Sequence, residues 1–225
     1  MMRTPSLVAA ALAALVVSGC ASLTAPAPLF TTADQIGPTA LSEGVWIGVD
    51  EDCPARAAAR RSGRFQRGCD VFEIRRTEDG AWTLTGRTDL MSAPPNQDAT
   101  NEAVVFVLAP VSEHPSPDAY AAYYLAEVRQ EDGSTIFVGV VPIGTMPATS
   151  FTTVSIDCGA ILRDGPIDGV AVTYRSDDTG AATETIQACA ASNPAAVREA
   201  ARRALVEGAG ALIERNERFL YVRPR

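Results

Sequence analysis

Five guanidiniums between Cys53 and Cys69 are the densest chemical feature of the chain: Arg56, Arg60, Arg61, Arg64 and Arg67. Arg56, Arg60 and Arg64 recur every fourth residue, a spacing that predicts one face of a short helix beginning at Pro54. Such a face binds phosphate, carboxylate or an acidic partner through charge-assisted hydrogen bonds. The competing reading is a solvated face paired with Asp50, Glu51 and Asp52, the usual condition of a charge run. His114, the single histidine, sits near Ser112 and Asp118 in a stretch interrupted by Pro115 and Pro117. Proximity in sequence is not triad geometry, and the G-x-S-x-G elbow is absent, so His114 reads as a loop residue. Neither a Walker loop nor a dinucleotide glycine pattern is present. The acids at positions 50–52 lack the alternating oxygen ligands of a calcium loop. Paired carboxylates for glycoside hydrolysis leave no local spacing, so that chemistry stays open as a rival. No catalytic residue, metal ligand or cofactor is assigned.

The N-terminus orders one positive charge at Arg3, an apolar run over 7–17 and then small residues, which is the layout of an export signal. Eleven residues at 1.5 Å of rise cover about 16 Å, roughly half of a bilayer core, so the run engages export machinery without spanning. Val17-Ser18-Gly19-Cys20 resembles the bacterial lipobox, in which an aliphatic residue and two small residues precede an acylated Cys. The resemblance implies that Cys20 becomes the mature N-terminus, bearing a thioether-linked diacylglycerol and a fatty-amide cap. It also implies sorting to the outer membrane, because Ala21 and not Asp follows the Cys, with the domain in the periplasm or at the cell surface. Residues 1–19 are then a lipoprotein signal peptide. Residues 20–41, rich in Ala, Thr and Pro, read as the lipidated Cys and a flexible tether, and 42–225 as a single domain.

All 19 basic residues are Arg, so no lysine is available as a Schiff-base amine, phosphate-loop cation or general base. The mature chain sets 18 Arg against 27 acids, which disfavours nucleic acid. At 47% hydrophobic and 20% charged, the composition is that of a folded domain. Cys53, Cys69, Cys158 and Cys189 remain after processing. An even count in an exported chain points to two disulfides. Of three connectivities, spacing favours Cys53 with Cys69 and Cys158 with Cys189, each bracketing a local unit. A four-Cys zinc site is the alternative, but no pair has knuckle spacing.

The elements that must position these groups are mostly extended. Runs at 45–49, 71–76, 82–87, 103–108, 123–129, 136–141, 152–156, 170–175, 182–187 and 218–223 are rich in β-branched and aromatic residues and separated by Gly, Pro, Asp and Asn. Asp79-Gly80, Asp132-Gly133 and the Asp177–Gly180 stretch read as hairpin turns, so the sheet is expected to be an antiparallel meander. One helix is expected over 194–207, capped by Asn193 and ended by Gly208, with Val197, Ala201, Ala204 and Leu205 on its buried face. The expected class is α+β and β-rich: a meander sheet or small barrel with one C-terminal helix packed on it. Gly44-Val45-Trp46 resembles the Gly-x-Trp opening of lipocalin-like barrels, which implies an apolar ligand carrier. The functional expectation is a membrane-anchored envelope lipoprotein with a non-catalytic binding domain, taking an envelope protein or an anionic ligand as partner. The alternatives are an envelope hydrolase using paired carboxylates and the lipocalin-like carrier.

Overall fold

Strict alternation of side chains along eight strands builds the molecule, because a strand with two apolar faces can close around one core and support another outside it. The computed structural model describes residues 21–35, 41–49, 53, 65, 69–87, 90, 103–111, 123–145, 147–176, 182–212 and 218–222, without the side chains of 182, 184 and 206–212. Its strands are β1 (Leu23–Ala25), β2 (Gly44–Val49), β3 (Val71–Arg76), β4 (Trp82–Gly86), β5 (Ala103–Pro110), β6 (Tyr124–Arg129), β7 (Thr135–Ile143), β8 (Ser150–Ser155), β9 (Val170–Ser176), β10 (Ala182–Ala191) and β11 (Arg218–Val222). Among the described residues two helices, α1 (Cys158–Ile161) and α2 (Pro194–Leu212), flank the β9–β10 hairpin in sequence.

Strands β2 to β8 follow one another as antiparallel neighbours, and β11 inserts between β8 and β2 to close an eight-stranded barrel. The expected meander is therefore a closed barrel, which leaves its strands no free edge. Gly80 and Gly133 take φ of +88° and +85° at the β3–β4 and β6–β7 turns, the conformation for which Asp-Gly is suited. At its first residues β7 also pairs with β1, and the sheet continues from there through β10 to β9.

Three apolar clusters follow from this layout. Inward-facing residues, among them Trp46, Phe72, Trp82, Phe106, Phe151 and Phe219, fill the barrel. The outward residues Val107, Leu125, Phe137 and Val154 pack beneath β1, α1 and α2, with Val197, Ala200, Ala201 and Leu205 of α2 at 0–2% exposure. On the opposite side, Val45, Ile47 and Val71 pack with Cys53, Phe65 and Cys69. Both favoured disulfides, Cys53–Cys69 and Cys158–Cys189, are formed, so these sulfurs are not zinc ligands.

The tether is corrected. Over 21–35 the chain belongs to the fold: Leu23 and Phe30 are buried, and Thr32–Asp34 forms a 3-10 turn. A three-residue strand amid Ala, Thr and Pro has no periodicity to announce it. It forms because β7 and β10 supply partners on both sides.

Candidate functional site

Inward parity places both tryptophans and four of the seven phenylalanines in the barrel, together with Tyr124 and Tyr221. On the wall formed by β2, β8 and β11 the rings interlock. Trp46 meets Phe151 at 5.0 Å and Tyr221 at 5.6 Å between centroids, and Phe151 stacks on Phe219 at 4.7 Å. Gly44 has φ +135°, and an added Cβ would lie 2.9 Å from the Tyr221 ring, so the Gly of Gly44-Val45-Trp46 is where an aromatic ring passes over the backbone. The facing wall is built from smaller side chains, Ala126, Val128, Val138 and Val140. Exposure in the barrel runs from none at Trp46 to 8% at Phe219, much the same range as in the layer against α2, where Val197 has none and Val141 7%.

Besides Tyr221, the hydroxyl-bearing Tyr124 and Thr153 face this apolar interior. Tyr124, Val140 and Thr153 are register neighbours on β6, β7 and β8, and Thr153 has the inward parity of Phe151. Both Tyr124 and Thr153 are 6% exposed. Thr153 Oγ1 is buried with no hydrogen-bond partner, and burial pushes the Tyr124 phenol above its usual pKa. A buried hydroxyl without a partner is costly, and such groups mark places where a ligand or water completes the bonding.

The N-terminal segment is tied to one end of the barrel. The Trp82 indole N–H donates to Gln35 Oε1 at 2.9 Å, while Gln35 Nε2 donates to the Gly80 carbonyl at 2.8 Å. Arg76 lies over the Trp82 ring at 5.8 Å. The same segment is clamped outside the barrel by Glu127, whose carboxylate accepts the Leu29 N–H at 2.6 Å and the Phe30 N–H at 3.2 Å. Phe30 itself sits between the edge of Phe137 and the guanidinium of Arg198. Burial raises the pKa of Glu127 despite those two backbone donors.

Each of the remaining carboxylates with a displaced pKa has it lowered, Asp79 chiefly by a hydrogen bond from Thr77, Asp132 by hydrogen bonds from Ser134, and Glu73 and Glu199 by arginines. Burial raises that of Glu73, but Arg75 and Arg87 outweigh it and hold the carboxyl below the usual range. The guanidinium of Arg202, then that of Arg203, brings Glu199 down to about 2. Glu73, Glu127 and Glu199 stand on β3, β6 and α2. Among the described residues no three His, Cys, Asp or Glu come together, and no helix is long and apolar enough to cross a membrane.

Cys20, Asp50, Glu51, Asp52, His114 and the arginines Arg56, Arg60, Arg61, Arg64 and Arg67 lie outside the described residues. Of the Arg-rich segment only the buried Cys53, Phe65 and Cys69 are described, packed on β2 and β3. Sequence reading did not single out Tyr124, Thr153 or Glu127. A signal for Glu127 was present, since it shares parity with Leu125 on a strand whose other face is Tyr124, Ala126 and Val128. Searches of protein-family models, curated proteins and solved structures return no match to this chain.

Proposed function

We propose that the chain is a lipid-anchored envelope protein whose barrel is a non-catalytic binding domain for a small, largely apolar ligand carrying one hydrogen-bonding group. The observation that carries the ligand reading is the buried, unpartnered Thr153 hydroxyl, one strand from Val140 and two from Tyr124 in an aromatic and aliphatic interior. A ligand in contact with Val140 would reach both, because their strands stand about 10 Å apart across β7. The lipid anchor rests on Val17-Ser18-Gly19-Cys20, and the two disulfides, which suit an oxidising compartment, support it.

The test is titration of the purified protein with N-phenylnaphthylamine, an apolar fluorescent amine, read as energy transfer from Trp46 and Trp82. Saturable transfer is expected, weakened about tenfold by Tyr124→Phe or Thr153→Val. Without ligand, Thr153→Val is expected to leave stability equal or raised, since it removes an unpartnered hydroxyl at nearly constant volume. Transfer that never saturates, or that both variants leave unchanged, overturns the ligand reading. The anchor is tested separately by the intact mass of the mature chain, which should begin at Cys20 and carry acyl groups.

A further inference from the structure

The chain enters the fold without a spacer. The Ala21 carbonyl accepts the Cys158 N–H at 2.8 Å, Ser22 bridges to Asp157, and Leu23, fully buried, lies in register with Cys189. A lipid on Cys20 is then one residue from the packed domain, about 3.8 Å between α-carbons, and cannot suspend it at the end of a tether. Beside this point stands the β9–β10 hairpin. Its strand β10 is held to α1 by the Cys158–Cys189 disulfide, and β1 runs parallel to it, so toward its N-terminus the chain heads for the outer half of the hairpin.

That outer half is open to solvent on both faces. Thr173, Tyr174, Arg175 and Ser176 of β9 and Thr185, Gln187 and Ala188 of β10 are exposed, and among the described residues the outer edge of β9 has no strand partner. Tyr174 is 48% exposed, the one large hydrophobic residue of the described set that is, and it pairs with the half-buried Ile186. A two-stranded ribbon standing in water is marginal unless something covers it.

Building on the lipid-anchor reading, we propose that the β9–β10 hairpin is the membrane-contacting surface of the protein, laid against the headgroup layer with Tyr174 and Ile186 at the interface. Tyrosine suits that depth because its ring is apolar and its hydroxyl polar, and the adjacent Arg175 presents a guanidinium to lipid phosphates. A bilayer is favoured over a protein partner by where the anchor attaches. Fixing a lipid one residue from the core makes the contact intramolecular, so a small patch suffices, whereas a free protein would have to bury a surface of roughly 1,000 Å².

The full-length protein, purified with its native N-terminus, is reconstituted into phosphatidylethanolamine and phosphatidylglycerol vesicles containing acyl-brominated lipid. Tryptophan is introduced by Tyr174→Trp and, as a control, by Glu78→Trp. Glu78 is exposed in the β3–β4 turn, and β3 is four strands from β7 whichever way the barrel is followed. After subtraction of the wild-type signal, the added fluorescence at 174 is expected to be quenched at least about threefold more than that at 78. Intact mass is recorded on the same sample. Equal quenching at both positions in an acylated sample overturns the membrane surface and assigns the open strand to a protein partner, leaving the anchor intact. A mature chain without acyl groups overturns the anchor and this inference with it.

Discussion

Glu127 shows how one side chain holds down fifteen residues. Its carboxylate accepts the N–H groups of Leu29 and Phe30 at a site with no solvent exposure, so Glu127→Ala leaves two donors buried and unpaired. A loss of about 2–4 kcal/mol is expected in urea unfolding. Because burial raises its pKa above that of the unfolded chain, its contribution is full below the ordinary carboxylate pKa and declines as pH rises through the folded value. Glu73 and Glu199 act oppositely: their pKa values are lowered, so their contribution is present above the unfolded pKa and lost as pH falls, for Glu199 on approach to about 2. Glu127→Gln removes only the first dependence. Wild type should therefore exceed this variant in stability by a larger margin at about pH 4 than at about pH 8, and a constant margin would refute the assignment. Parity along Tyr124–Arg129 made the burial of Glu127 legible; its partners were not, being nearly a hundred residues away in sequence.

At the scale of elements, local chemistry was read well. The run at 71–76 matches β3 in full, and the other expected strands differ from those observed by a few residues at their ends. Asn193 caps α2 as expected, accepting the Ala196 N–H at 2.9 Å, and Asn193→Ala should cost about 1 kcal/mol by thermal unfolding. Arg203 joins α2 to the loop after α1, donating to the Ile161 and Gly165 carbonyls at 3.0 and 2.7 Å. The disulfides close separations of 16 and 31 residues, for which chain entropy gives about 3 and about 4 kcal/mol. Replacing Cys158 and Cys189 together by Ser should lower the urea midpoint more than replacing Cys53 and Cys69, and should also loosen the β9–β10 hairpin, detectable as faster amide exchange there. The end of α2 was misplaced, since the helix runs past Gly208 to Leu212, and the short elements β1 and α1 escaped sequence reading because their three and four residues carry no period and are held by partners remote in the chain.

For the molecule as a whole, the N-terminal segment is a wall and not a leash. A chain beginning at residue 36 would lose Leu23, Ala25 and Phe30 from the layer between barrel and α2 and would uncover Glu127. It is expected to fail to fold or to aggregate, whereas ten Gly/Ser residues inserted between Cys20 and Ala21 should leave thermal stability unchanged; a stable chain from residue 36 would show that the barrel stands alone. By itself the sequence determined the strands, the turns at Gly80 and Gly133, the N-cap of the helix and the pairing of cysteines by proximity, because alternation, Asp-Gly chemistry and short loop closure all act within a few residues, while the Asp177–Gly180 stretch lies outside the described residues. Only the tertiary structure decided that the meander closes through β11, that residues 21–35 are core, and that Tyr124 and Thr153 face each other's strands across Val140. Those outcomes depend on which edges and faces remain unsatisfied once the strands assemble, and that is a property of the whole chain.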